Sequence, residues 1–320
     1  MQMRTTSSRF PVLLTMLVLL VLPAVVCAKK INSSAGTSAF SFLKINVGGR
    51  AVGMGSAFTG LADDEAALYY NPAGLVGFED GRFIAEYHSY FSDLQSGFAG
   101  YIKPLSLDRA FGIQVSYLNY GEFTQTDRAG NIEGTFGGGD LMVAGSFAFR
   151  QGYYFSAGAT AKFIYEKIQD YSATGVALDL GLRYASDRGR YTGGLMIQNL
   201  GAQLSSLGTG ESEGLPTTVR IGGSLRPPGL NSVVSSDLIM PFDNDAQICV
   251  GAEYFKLDPL FLRAGWNSFG SNYKTDYSDN GVAGMTFGVG LRYHAMQFSY
   301  AYSPAADLGD SHRVTLSGGI

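Results

Sequence analysis

Residues 176–184 read Val-Ala-Leu-Asp-Leu-Gly-Leu-Arg-Tyr. Val176, Leu178, Leu180, Leu182 and Tyr184 fall on one side of an extended chain, opposite Asp179, Gly181 and Arg183, because a strand points successive side chains to opposite faces. One face suits hydrocarbon. The other carries an acid and a base, which a dry sandwich core accepts only at high cost when they are unpaired. A wet lumen, where opposite charges pair across strands, removes that cost.

The same two-residue period recurs along most of the chain. Phe111, Ile113, Val115 and Tyr117 oppose Gly112, Gln114 and Ser116. Leu141, Val143, Gly145, Phe147 and Phe149 oppose Ala144, Ser146 and Ala148. Met285, Phe287, Val289, Leu291 and Tyr293 oppose Thr286, Gly288, Gly290 and Arg292. Further charges sit on the polar side of such segments, among them Lys162, Arg220, Asp237, Glu253, Arg263 and Arg313. About fourteen segments of this kind fit between residues 82 and 320, which predicts an all-β fold, a closed transmembrane antiparallel barrel.

The joints alternate in length. Those at 105–108, 150–152, 186–189, 227–230, 256–257 and 294–295 are tight, whereas 120–138, 201–215 and 268–282 are long. Short turns on one rim and long loops on the other are the outer-membrane pattern, with the tight turns in the periplasm. Arg109, Arg150, Arg188 and Arg226 lie by the tight turns, and acids such as Glu122, Asp127, Asp243 and Asp276 lie on the long side. Those acids read as solvated loop residues.

The start of the chain reads as an export signal. Met1 to Phe10 carries Arg4 and Arg9 without an acid, Pro11 to Leu22 is apolar, and Val26-Cys27-Ala28 offers a cleavage site. Residues 1–28 are therefore expected to be a cleaved signal peptide. Val26 is bulky for a lipidated Cys27, so simple cleavage is favoured. Losing the two arginines takes the formal charge from −4 to −6, and no basic stripe for nucleic acid remains. One cysteine, Cys249, is then left, so strand pairing and packing must supply stability without an internal disulfide.

Residues 29–81 break the alternation. Gly48 to Gly77 reads GGRAVGMGSAFTGLADDEAALYYNPAGLVG. Asp63 and Asp64 stand at an expected helix start, Glu65 to Tyr70 would continue it, and Asn71-Pro72 would stop it, with Gly74 allowing a further sharp turn. So irregular a backbone cannot face lipid, where unpaired groups are penalised, so it is expected to plug the lumen of the barrel formed by residues 82–320. This run resembles the N-terminal signature of the PorV/PorQ-type outer-membrane proteins, a family related to the FadL-type transporters of hydrophobic compounds. Asn71, Pro72 and Ala73 match the Asn-Pro-Ala of FadL-type hatches. The resemblance implies a FadL-like barrel of about fourteen strands with an N-terminal hatch, gated around Asp63, Asp64, Asn71, Pro72, Ala73 and Gly74.

It also implies two functions. PorV-type members bind secreted cargo of the type IX secretion system, and this is the favoured reading. FadL-type members pass hydrophobic small molecules through a hatch-gated lumen, which is the alternative. A conduit needs an apolar pocket by the hatch, for which Phe40, Phe42, Phe58, Leu61 and Tyr70 are candidates. A cargo binder needs aromatic anchors on its long loops. Phe269, Tyr273 and Tyr277 are the clearest, while Tyr120 and Phe123 begin another such loop. Expected partners are thus outer-membrane lipid with either secreted proteins or hydrophobic small molecules. His88, His294 and His312 show no metal-ligand spacing, and Gly48, Gly49, Gly53 and Gly55 lack a P-loop lysine. No enzyme, cofactor or metal is expected. The reading is tested by extraction: the mature protein should leave the membrane only with detergent, and a species that stays dispersed in plain buffer would overturn it.

Overall fold

The computed structural model describes residues 34–90, 94–208, 210–273, 282–305 and 309–320. The expected signal peptide, together with Asp276 and Tyr277, lies outside them. Fourteen strands follow in chain order: β1 (Arg82–Ser89), β2 (Gln95–Ser106), β3 (Arg109–Thr126), β4 (Ile132–Gln151), β5 (Phe155–Ile168), β6 (Tyr171–Ala185) and β7 (Tyr191–Ser205). They continue with β8 (Thr218–Leu225), β9 (Ser232–Pro241), β10 (Gln247–Tyr254), β11 (Leu260–Asn267), β12 (Met285–Tyr293), β13 (Met296–Pro304) and β14 (Asp310–Gly319). Each pairs antiparallel with its sequence neighbours, and β1 closes on β14 from Arg82 opposite Gly319 to Ser89 opposite His312. Closure leaves no edge strand, which is the only way a sheet can stand in hydrocarbon with its backbone groups paired.

The faces fall as the period predicts. Phe111, Ile113, Val115 and Tyr117 are exposed on the outside of β3, while Ala110 and Gln114 are buried within. Phe147, Phe149, Tyr184 and Phe155 gather near the short-turn rim, and Tyr154 and Phe155 both lie against Tyr184. Such aromatic clusters suit a membrane–water interface.

The wall is uneven in height. Strands β3 to β7 run 14 to 20 residues, and β8 to β13 run 8 to 10. A tilted strand needs about 9–11 residues to cross hydrocarbon, so the tall side projects. The expected long loop at 120–138 is corrected accordingly. Its residues extend β3 and β4, leaving only 127–131 as a turn. Tyr120 donates to Asp140 at 2.8 Å, and Phe123 stacks on Phe136 across the ladder at 5.3 Å. Cross-strand pairs of this kind hold a ribbon that glycine-rich sequence alone does not reveal. Asp243 is also buried rather than solvated, because Ser38 and Lys44 both reach it at 2.6 Å.

Residues 34–81 occupy the lumen. They form two single-turn helices, α1 (Gly49–Gly53) and α2 (Ala67–Tyr70), and two 3-10 turns, Ser41–Lys44 and Pro72–Leu75. Helix α1 packs on β11 to β14, and the Pro72–Leu75 turn packs on β3 to β6. The single helix expected from Glu65 is shorter than its residues allow. Asp64 Oδ1 accepts from Ala66 N at 2.8 Å, and Asp63 is drawn instead to Arg50 and Arg226. Local side-chain bonds of this sort compete with helix initiation.

Glycines of the wall let this plug lie backbone against backbone. A Cβ at Gly251 would stand 2.1 Å from Met54 O, one at Gly158 2.5 Å from Pro72 C, and one at Gly194 2.3 Å from Thr59 O. Gly251→Val is therefore expected to loosen the plug by about 1–3 kcal/mol or more, read as faster amide exchange at residues 48–62 with the barrel intact. Gly145→Val, whose Cβ would meet only Phe111 at 3.9 Å, should leave exchange unchanged.

Candidate functional site

An irregular segment leaves backbone groups without partners, and buried ones must be satisfied. Here the wall's side chains satisfy them. Gly48 N donates to Glu86 Oε2 at 2.6 Å, Gly49 N to Thr315 Oγ1 at 2.8 Å and Gly55 N to Thr286 Oγ1 at 3.0 Å. Asp237 Oδ2 accepts from both Phe58 N and Thr59 N, at 3.1 and 2.9 Å. On the far side, Ser156 Oγ donates to Ala73 O at 2.6 Å and Gln198 Nε2 to Tyr69 O at 2.8 Å. Arg183 reaches the Leu61 carbonyl at 2.8 Å, so it serves the plug rather than a wall ion pair.

Asn71 is the densest of these anchors. Its Nδ2 donates to Thr59 O and to Leu182 O, both at 3.0 Å, and its Oδ1 accepts from Ala73 N at 3.1 Å, capping the Pro72–Leu75 turn. Pro72 opens that turn, where its missing N–H costs nothing. A Cβ on Gly181 would collide with Asn71 Oδ1 at 2.2 Å, and one on Gly74 with Ala62 O at 2.2 Å. Asn71, Pro72, Ala73 and Gly74 are all buried and together fix one side of the plug to β5 and β6.

Arg50 fixes the other side. It donates twice to Glu253 of β10, Nε to Oε2 and Nη2 to Oε1, each at 2.9 Å. Its Nη1 reaches Asp63 at 2.6 Å and Asp64 at 3.0 Å. Asp63 also meets Arg226 at 2.6 Å, and Glu253 also meets Arg263 at 2.7 Å. Arg220 pairs with Asp237 at 3.5 Å and lies over the Tyr70 ring at 4.9 Å. Lys162 and Asp179 pair at 2.7 Å beside a bulge where β6 Leu178 faces Leu200 and Leu180 faces Ile197. Asn199 fills that bulge, donating its N–H to Asp179 at 2.7 Å.

Among the described residues, a cavity lies on each side of the plug. The cavity toward the long loops holds about 400 Å³, and Leu43, Ile45, Val52, Tyr69, Ile239 and Phe269 give it an apolar part. Gln198, Asn199, Arg220, His88 and Arg313 supply its polar part. The cavity toward the short turns holds about 380 Å³ and is charged, with Arg50, Asp63, Asp64, Arg226, Glu253 and Arg292 around it.

The five aromatic and aliphatic residues expected to line a pocket are placed differently. Phe40 and Phe42 are buried with Leu118, Met142, Ile164 and Leu215. Phe58, Leu61 and Tyr70 are buried in a second cluster, where Phe58 and Tyr70 rings meet at 5.4 Å. These large apolar side chains gain most by burial in the plug, and other residues, Leu43, Val52 and Tyr69 among them, face the open space. Phe269, expected on an outer loop, lines the cavity instead. Tyr273 ends the 3-10 turn Ser268–Tyr273, and Tyr277 lies outside the described residues. The anchors Asp237, Ser156 and Gln198 had only one sequence signal: a polar residue on the inward face of a strand.

No protein-family model matches the chain. A UPF0164 protein of Treponema pallidum (strain Nichols) is 27% identical over 212 residues, covering 60% of this chain and 49% of that protein. The chain thus spans about half the length of that curated relative. Among solved structures, the Pseudomonas putida toluene transporter TodX superposes with a TM-score of 0.59 at 13% identity, covering 85% of this chain and 96% of TodX. A Pseudomonas aeruginosa FadL homologue gives 0.51 at 12% identity, with 90% and 98% covered. The fold is therefore a FadL/TodX-like closed barrel of fourteen antiparallel strands. These likenesses carry no separate support for the PorV/PorQ branch.

The acid cluster makes the plug pH-sensitive. Burial, with repulsion from Glu65 and Asp63, pushes the Asp64 carboxyl up to about 6 against the pull of Arg50. Asp63 beside it is half-buried, and Arg50 and Arg226 hold it below the usual carboxylate range. The folded state binds the Asp64 proton more tightly than the unfolded chain does. Its contribution to stability therefore rises as pH falls through about 6 and levels off near the ordinary value of ~4. Asp64→Asn should flatten the dependence of Tm on pH across that window, and an unchanged slope would place the titration elsewhere.

Proposed function

We propose that this protein is a passive outer-membrane channel for small apolar molecules, with the short turns in the periplasm and the plug as its hatch. In this reading residues 1–28 are the export signal, and 29–81 form the hatch. The observation that carries it is the long-loop cavity. Its apolar part lies directly on the plug at Leu43, Val52 and Tyr69, and its volume of about 400 Å³ is within the range of small-molecule sites. The polar groups beside it, Gln198 and Asn199, are held by the plug and by the bulge, so they are preset rather than adaptable. Support also comes from the shared fold with a protein described as a toluene transporter.

The plug closes the lumen in this conformation through the Asn71 and Arg50 anchors. Release of an apolar solute toward the short turns would bring it against charges at Arg50, Asp63 and Glu253, which disfavours that exit. A route out through the wall above the plug fits an apolar solute better, since the outer face is lipid. Binding of secreted cargo has less behind it, because Phe269 turns toward the cavity rather than outward.

Val52→Trp, which places a large ring in the cavity, should cut uptake of a radiolabelled aromatic hydrocarbon into proteoliposomes several-fold. Unaltered uptake would overturn the channel reading. Pull-down of a sorting-domain protein that is lost on trimming 268–282 would favour the secretion role instead.

A further inference from the structure

Several strands run past both cavities, β12 among them. Thr286 of β12 lines the long-loop cavity, and Arg292 of the same strand lines the short-turn cavity. The inward positions between them are Gly288 and Gly290. A strand advances ~3.3 Å per residue, so Thr286 to Arg292 spans roughly 20 Å of wall, and between those two residues it carries no inward side chain of its own.

What fills this strip comes from elsewhere. At Gly288 the plug helps fill it: Gly53 Cα stands 3.1 Å from where a Cβ would sit. At Gly290 the three nearest atoms are Nη2, Nη1 and Cζ of Arg263, at 2.5, 2.9 and 3.0 Å. Elsewhere around the belt, as at Gly158, Gly194, Gly251 and Gly265, plug backbone takes the equivalent space. Along β12, a rotatable side chain of the wall does what plug backbone does at those positions.

The partners of Arg263 suit a stopper. Its Nε donates to Glu253 Oε2 at 2.7 Å and its Nη1 to Ser299 Oγ at 3.0 Å. Its Nη2 is buried without a hydrogen-bond partner among the described residues. Glu253 shares two guanidiniums, since Arg50 also holds that carboxylate with two bonds while reaching Asp63 and Asp64. A buried donor left without a partner carries a desolvation cost, which a side chain chosen for packing alone would avoid. A polar plug with a spare donor therefore points beyond packing.

The geometry points to Arg263 as the gate of an axial, water-accessible route along β12 that joins the two cavities. Glu253 and Ser299 hold the gate shut, and Arg50 ties it to the plug. The groups along the strip, from Thr286 through Arg263 and Glu253 to Arg292 and Gln297, are polar. The route accordingly takes small hydrated ions, not the apolar solutes of the cavity above. It stands or falls apart from hydrocarbon uptake.

Single-channel recording in planar lipid bilayers tests it, with heat-modifiable electrophoretic mobility confirming folded barrels. The native protein should stay closed. Arg263→Cys should show sustained conductance steps, and a cationic methanethiosulfonate reagent, which rebuilds a long charged side chain on the new thiol, should abolish them. The native protein under the same reagent controls for buried Cys249. Lys162→Ala removes a buried wall charge on the far side and should stay closed. A folded Arg263→Cys barrel without steps, steps that persist after the reagent, or equal steps in Lys162→Ala would each overturn the gate. If Arg263→Cys does not fold, Arg263→Lys carries the test. It keeps the charge but cannot hold Glu253 and Ser299 together in the same geometry, so brief openings are expected and silence like that of the native protein refutes the gate.

Discussion

Hydrocarbon offers no partner to a backbone N–H or C=O, and the molecule is organised around that fact. The fourteen strands satisfy it by closing β1 on β14, so no edge meets lipid. Residues 34–81 face the same requirement without the means of a regular element. Their helices are single turns, too short to bond more than a few of their own groups. The wall supplies the rest from the inward positions of its strands. Asp237, Thr286, Thr315, Ser156 and Gln198 act as surrogate ladder partners. Glycines between them let the two backbones approach closely.

Charge inside the barrel follows from that docking. A carboxylate that accepts two plug N–H groups, as Asp237 does, must itself be buried, and a buried charge needs a counter-charge. Arg220 provides it and then lies on Tyr70 of the plug. Arg50 plays the converse part, projecting from plug to wall and gathering Glu253, Asp63 and Asp64. The ion pairs therefore do little of the work of holding strands in register, since the ladder and the outer apolar face already specify it. Some of them, Arg50 with Glu253 foremost, hold one body inside another. Breaking such a pair leaves a lone charge buried, which typically costs about 3–5 kcal/mol, so each acts as a latch.

This construction divides the lumen by chemistry. Above the plug lies a cavity with apolar walls, below it one ringed by guanidinium and carboxylate groups. An apolar group is better accommodated in the first than beside the charges of the second. Plug and barrel together create these two surroundings within one lumen.

The sequence by itself determined the barrel, because a period of two is a property of the strand and needs no tertiary information. Val176 to Tyr184 alone shows an oily and a wet face, and the repeat of that pattern with alternating short and long joints gives strand number and closure. It also located the plug, through the loss of alternation before Arg82 and the Asn71-Pro72 stop. It did not reveal the heights of β3 and β4, whose glycine-rich ends read as loop until Phe123 meets Phe136 across the ladder. Nor did it reveal which aromatics face open space. Phe40, Phe58 and Tyr70 were candidates by apolarity alone, yet the docking of plug on wall places them in packed clusters, while their cluster neighbours Leu43 and Tyr69 also reach the cavity. Glu253, the wall partner of Arg50, lies far from it in the chain. Spacing in sequence carries no record of such pairs, since they exist only once a segment near the start of the chain is enclosed by strands from its end.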